Sequence, residues 1–144
     1  MRNYLTGSLK RLRTDYVDLY LLHSPPLEIV NEEVVGTLQE LKKEGLIKEL
    51  GLSLKSPLEG AAAFALGFKI LEINFNMIDQ RAWDCGLFDK AEREGANLIA
   101  RTPFCFGFLT GKITSLDFHP QDHRSAWPKE QLEKWLEAAK MFDQ

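Results

Sequence analysis

Apolar and polar positions along the chain alternate between two periods, and the changes of period mark its elements. Tyr16 to Leu22 is nearly continuous in apolar and aromatic residues, and Pro25 and Pro26 follow His23. Such a run predicts a strand covered on both faces of a parallel sheet, closed by prolines that cannot donate to the ladder. Ahead of it, Leu5, Leu9 and Leu12 share one face of a helix over residues 2–13. Asn31 caps a second helix with Glu32 and Glu33 in its first turn and Lys42 and Lys43 in its last, and Gly45 ends it. Ile47 to Ser53 is the second strand. Ser56-Pro57-Leu58-Glu59 has the form of a capping box with proline at the first helical position, so a third helix starts there and stops near Gly67. Phe68 to Ile78 reads as the third strand, Asp84 to Glu94 as a fourth helix and Ala96 to Arg101 as the fourth strand. A last helix begins at Pro128 and carries Leu132, Trp135, Leu136 and Ala139 on one side.

The strands begin near residues 16, 48, 69 and 97, a pitch close to the roughly 31 residues per unit of an eight-stranded β/α barrel. Strands alternating with helices in this way form parallel βα units. The predicted fold is therefore α/β: one domain over residues 1–144, forming part of a TIM (β/α)8 barrel with about four strands, a half-barrel. Two open sheet edges and an apolar inner face favour self-association, so a homo-oligomer is the expected state. The first helix has no side-chain cap, and Arg2 opposes the helix dipole at its start, which reads as a cut end.

Composition narrows the function classes. Lys and Arg number 18 against 21 Asp and Glu, a net charge of −3, which gives no support for a nucleic-acid partner. No run approaches the roughly 18 apolar residues of a membrane span, and no basic-then-apolar leader pattern opens the chain. Cys85 and Cys105 are expected to be buried free thiols in a cytoplasmic protein.

Candidate chemistry collects at the strand ends, where parallel α/β folds bind ligands. His23 closes the first strand and Ser53 the second. The third carries Glu72, Asn74 and then Asn76, and the fourth runs through Arg101-Thr102-Pro103 into a loop with Gly107 and Gly111. Taken singly each is weak: a histidine often fills a strand end, a serine there often caps a helix, and an arginine often pairs with a carboxylate. His119 and His123 stand four apart, but Pro120 separates them. A polar surface loop, with no metal site, is the expected reading.

Taken together, SLKRLRTDYVDLYLLHSP, GLIKELGLS, EINFNMIDQR and IARTPFCFGFLTGK resemble, in order and spacing, the strand motifs of the aldo-keto reductases. The resemblance covers the fourth strand of that barrel to the helix after the seventh. It implies NADPH-dependent reduction of a small-molecule aldehyde or ketone, with His23 as the active-site histidine that donates a hydrogen bond to the carbonyl. It implies NADP as cofactor, with Ser53, Glu72 and Arg101 at the nicotinamide. Thr102, Pro103, Phe104, Gly107, Leu109, Thr110, Gly111 and Lys112 form the cofactor loop. Three positions depart from the family pattern: Leu54 follows the serine where asparagine is usual, Glu72 replaces a glutamine, and Arg101 replaces an aromatic. The family's tyrosine acid, lysine and aspartate lie on strands ahead of the histidine and have no counterpart here. The expectation is a reductase fragment inactive alone. The alternative is a non-catalytic half-barrel that serves as a binding or assembly module.

Overall fold

The computed structural model describes residues 1–142, so positions 143 and 144 of the expected domain lie outside the described residues. Four strands form one sheet in the order of the sequence: β1 (Val17–His23), β2 (Ile47–Ser53), β3 (Ile70–Asn74) and β4 (Asn97–Arg101). β1 pairs with β2 and β2 with β3 in parallel. The helices α1 (Arg2–Leu12), α2 (Glu32–Lys43), α3 (Gly60–Ala65), α4 (Arg81–Asp84) and α5 (Leu87–Arg93) alternate with the strands, and α6 (Lys129–Lys140) closes the described chain. The chain divides into two compact units. One holds Met1–Ile73 and Ala82–Ile99, the other Asn74–Arg81 and the chain from Ala100 on.

In the first unit, Leu5 and Leu9 of α1 pack with Leu41 of α2 and Ile47 of β2. Leu5 and Leu41 are fully buried, each contributing about 1.5–3 kcal/mol through the apolar area removed from water. Local chemistry sets the helix boundaries. The Asn31 side chain accepts from the Val34 amide, and Lys42 and Lys43 occupy the dipole's negative end of α2. The Ser56–Glu59 capping box is present, but it opens a 3-10 turn (Pro57–Glu59) ahead of α3 rather than an α-helix directly. The helix expected over residues 84–94 starts later, as α5 at Leu87, because Gly86 takes a left-handed φ of 67° ahead of it, and the short α4 precedes that turn.

Two strand expectations need correction. β1 is not covered on both faces: Asp18 and His23 are exposed and its other residues half-buried. β1 is an edge strand of this sheet, so it has a neighbour on one side only. β3 ends at Asn74 rather than running to residue 78. The Asn76 side-chain oxygen accepts from the amides of Ile78 and Asp79 at 2.9 Å, and this turn takes the chain out of the ladder.

The second unit is built on Cys105, Phe108 and Leu132, with Phe106, Leu109, Trp135 and Leu136 packed against them. Within residues expected to be loop, His123–Ala126 forms a 3-10 turn, and Cys105–Thr110 forms tight turns kinked by positive φ at Phe106 and Gly107.

β2 contains one position with no room for a side chain. A Cβ on Gly51 would meet Leu21 Cδ2 and lie 2.7 Å from the Ile70 carbonyl oxygen. Gly51→Ala is expected to lower stability by about 1–3 kcal/mol, read as a fall in thermal midpoint. An unchanged midpoint would show that β2 is less tightly enclosed between β1 and β3 than its contacts indicate.

Candidate functional site

The ladder register assembles the first group of candidate residues. His23 on β1 is the Cα partner of Ser53 on β2, and Ser53 is the partner of Glu72 on β3. Residues in register on adjacent strands share a face of the sheet, about 4.8 Å apart. The three side chains therefore form one row at the carboxyl ends of the strands. The chain leaves β1 immediately after the row: Ser24 adopts a φ of 47° and its amide donates to the Ser53 carbonyl at 2.9 Å.

Within the row, the Ser53 hydroxyl donates to Glu72 Oε2 at 2.6 Å. Ser53 is 2 % exposed, Glu72 is half-buried and His23 is open to solvent. Leu54, the departure beside the serine, is buried, and its amide donates to the Glu72 carbonyl at 2.9 Å. It belongs to the packing and places no polar group in the row. The row presents an imidazole, a hydroxyl and a carboxylate. This set fits the amide-bearing edge of a nicotinamide, since a carboxamide NH2 needs an acceptor and a carboxylate is the stronger kind.

The second unit holds the other candidates. Arg101 ends β4, and its carbonyl accepts from the Phe75 amide. Thr102 turns the chain with a φ of 54°. Its hydroxyl contacts Asn74 Oδ1 at 3.1 Å, and its carbonyl accepts from Asn76 Nδ2 at 3.0 Å. After Pro103 and an exposed Phe104, Cys105, Phe106 and Gly107 all take positive φ. The Phe104 carbonyl closes this turn by accepting from the amides of Gly107 and Leu109. Thr110 donates its hydroxyl to the Gly107 carbonyl at 2.7 Å, Gly111 adopts a φ of 69°, and Lys112 is exposed.

Two bracing groups lie outside the residues that the family resemblance assigns to the site. Asn76, buried, ties the turn after β3 to Thr102, and its signal in the sequence was an asparagine just past an apolar strand. Arg124 pairs with Asp122 through two short contacts, reaches the Phe106 carbonyl at 3.4 Å and stacks on the Phe118 ring. Its hydrogen bonds hold the Asp122 carboxyl well below the usual range. Phe106 packs on Trp127 and Trp135, each with ring centroids 5.2 Å apart. Phe106 and Phe108 thus serve as packing in this turn, while Phe104 is exposed. His119 accepts from the Gln121 amide through Nδ1, and His123 lies beside Asp122. Among the described residues no cluster of three metal-ligating side chains occurs.

In β/α-barrel enzymes ligands bind at the carboxyl ends of the strands, and the row His23–Ser53–Glu72 lies at that end of this sheet. The profile of the Aldo/keto reductase family matches residues 1–143, and the chain belongs to that family. It is 35 % identical over 126 residues to aldo-keto reductase str7 of Strobilurus tenacellus, covering 85 % of this chain and 38 % of that protein. It is 30 % identical to the NADH-specific methylglyoxal reductase of Escherichia coli (strain K12), across all of this chain and 45 % of the relative. The solved structure of the glycerol dehydrogenase AKR11B4 from Gluconobacter oxydans superposes with a TM-score of 0.75 at 30 % identity, covering 98 % of this chain and 44 % of that one. The chain therefore spans less than half the length of these relatives.

Cys105 is a buried free thiol as the sequence predicts, but Cys85 is exposed on the turn between α4 and α5. Burial pushes the Cys105 thiol up to about 11, and the Asp79 carboxylate adds to the effect. Only the thiolate is nucleophilic, so near pH 8 an alkylating reagent is expected to modify Cys85 alone in the folded chain. Cys105 should react only after denaturation, or as the pH climbs toward its raised value. Rapid labelling of Cys105 near pH 8, located by peptide mass mapping, would contradict its burial.

Proposed function

We propose that this chain supplies the nicotinamide side of an NADPH-dependent carbonyl reductase, acting on a small aldehyde or ketone. The observation that carries the reading is the row His23–Ser53–Glu72, held in ladder register with a 2.6 Å hydrogen bond inside it. A bound nicotinamide supplies the hydride. Ser53 and Glu72 hold the carboxamide and so fix the ring plane. The exposed imidazole of His23, one strand away, donates a hydrogen bond to the carbonyl oxygen and draws charge toward it as the oxygen becomes an alkoxide. In the second unit, backbone amides of residues 104–112 with the Lys112 ammonium are the proposed holders of the pyrophosphate. Arg101 offers a flat cation to a flat ring.

The reading assigns no acid to this chain. The alkoxide needs a proton as hydride arrives, and Tyr4 lies on α1, Tyr16 just ahead of β1 and Tyr20 within β1, none of them at the carboxyl end of a strand. Binding without turnover is the expected behaviour of the 144-residue chain. NADP rather than NAD follows the family resemblance, while one relative carries NADH specificity in its name. The open edges of β1 and β4 favour pairing with a second copy.

The test is NADPH fluorescence titration of the purified chain, with light scattering on the same samples. Sub-millimolar binding is expected, weakened about tenfold by Ser53→Ala. A folded chain that associates but binds no dinucleotide would overturn the reading and favour the assembly module.

A further inference from the structure

We propose that Asn76 is a positioning residue for the dinucleotide: one N–H of its side chain, donated to the Thr102 carbonyl, holds the loop of residues 102–112 in its ligand-ready shape. The inference rests on the reading of that loop as the holder of a pyrophosphate. It goes beyond that reading by assigning part of the affinity to a side chain that acts through the Thr102 carbonyl rather than on the ligand. All the residues involved lie in the second unit.

Thr102 is ill suited to the turn it makes. Its φ of 54° is a left-handed conformation that a β-branched residue adopts only where its surroundings impose it. Its carbonyl accepts from Asn76 Nδ2 at 3.0 Å and from the Cys105 amide at 2.9 Å, which occupies both lone pairs. One donor comes from the turn after β3. The other comes from the start of the loop, where Cys105, Phe106 and Gly107 all take positive φ. The Asn76 side chain has one possible orientation here: Oδ1 accepts from the amides of Ile78 and Asp79, both at 2.9 Å, so its NH2 end faces the carbonyl. Asn76 is buried, and little water stands ready to replace that N–H.

Without this donor the Thr102 carbonyl is free to turn, and the strained start of the loop has to be ordered as the ligand binds. Ordering at that moment subtracts from affinity. Two substitutions separate the link to Thr102 from the turn that Asn76 also closes. Asn76→Asp keeps the shape and an oxygen for the amides of Ile78 and Asp79. Ionised, it has no proton for Thr102; protonated, it has one. Asn76→Ser still accepts from the amides that follow it, but it is too short to reach Thr102 and carries no titrating group. The charged groups of the same turn and strand end are Asp79, paired with Arg81 at 2.7 Å, and Arg101 beside Thr102. The Cys105 thiol, pushed up to about 11, stays neutral.

The experiment is isothermal titration of the 144-residue chain and of both variants with NADP+, in steps from about pH 8 down to about pH 4.5, with circular dichroism at each step. At the upper end both variants are expected to bind about tenfold more weakly than the unmodified chain. Burial and the Asp79 carboxylate raise the titration of the introduced carboxyl. Asn76→Asp should therefore recover to within about threefold of the unmodified chain as the pH falls, while Asn76→Ser stays about tenfold weaker. A purely structural role for Asn76 gives no such pH profile. Binding by both variants equal to that of the unmodified chain would overturn the inference and leave the half-site reading standing. So would a deficit in folded Asn76→Asp that does not change with pH. If Asn76→Asp does not fold, Asn76→Ser decides: weakened binding supports the inference and undiminished binding overturns it. No binding of NADP+ by the unmodified chain would overturn both.

Discussion

The register of the parallel ladder is the constraint on which the site depends. His23, Ser53 and Glu72 come from three strands and lie 49 residues apart along the chain, and only the pairing of β1, β2 and β3 puts them in one row. A slip of one residue in β2 would turn Ser53 to the opposite face and bring Leu52 or Leu54, both buried in the core, into its place. Gly51 helps to prevent this slip, because its lack of a side chain lets Leu21 and the Ile70 backbone close on β2. Packing of the hydrophobic core and placement of the polar row are therefore two consequences of one alignment.

The second unit solves a different problem. Thr102, Cys105, Phe106 and Gly107 hold left-handed backbone within six residues, a concentration of conformations that non-glycine residues adopt at a cost of about 1 kcal/mol or more each. The surroundings compensate with specific contacts. Asn76 and Asn74 bind Thr102, Arg124 reaches the Phe106 carbonyl, and three aromatic rings enclose Phe106. Arg124 is itself held by Asp122, which also caps the following 3-10 turn. A loop braced in this way is set in shape before any ligand arrives.

Much of this was legible in the sequence, for identifiable reasons. The continuous run ending at His23 and the capping residues Asn31 and Ser56 each act locally, so their elements fall where their patterns place them. The ordered motifs also carried the family. What the sequence concealed depends on distant partners. The end of β3 is set by a side chain turning back on its own backbone, which apolar periodicity does not register. The break at Gly86 is a left-handed backbone conformation that apolar periodicity does not register, and the exposure of β1 follows from its place at the edge of the sheet. Glu72 was visible as a departure from the family pattern, but its hydrogen bond with Ser53 became evident only from the distance between them.

The most direct measurement is solution NMR of the isotope-labelled chain as NADPH is added, following the amides of the strand ends, the Glu72 side-chain carboxyl carbon and the His23 ring. The account requires the largest shifts at Ser53 and Glu72, with His23 responding from the next strand. Saturable binding that leaves these three residues unmoved while signals change elsewhere would place the nicotinamide outside the row and contradict it.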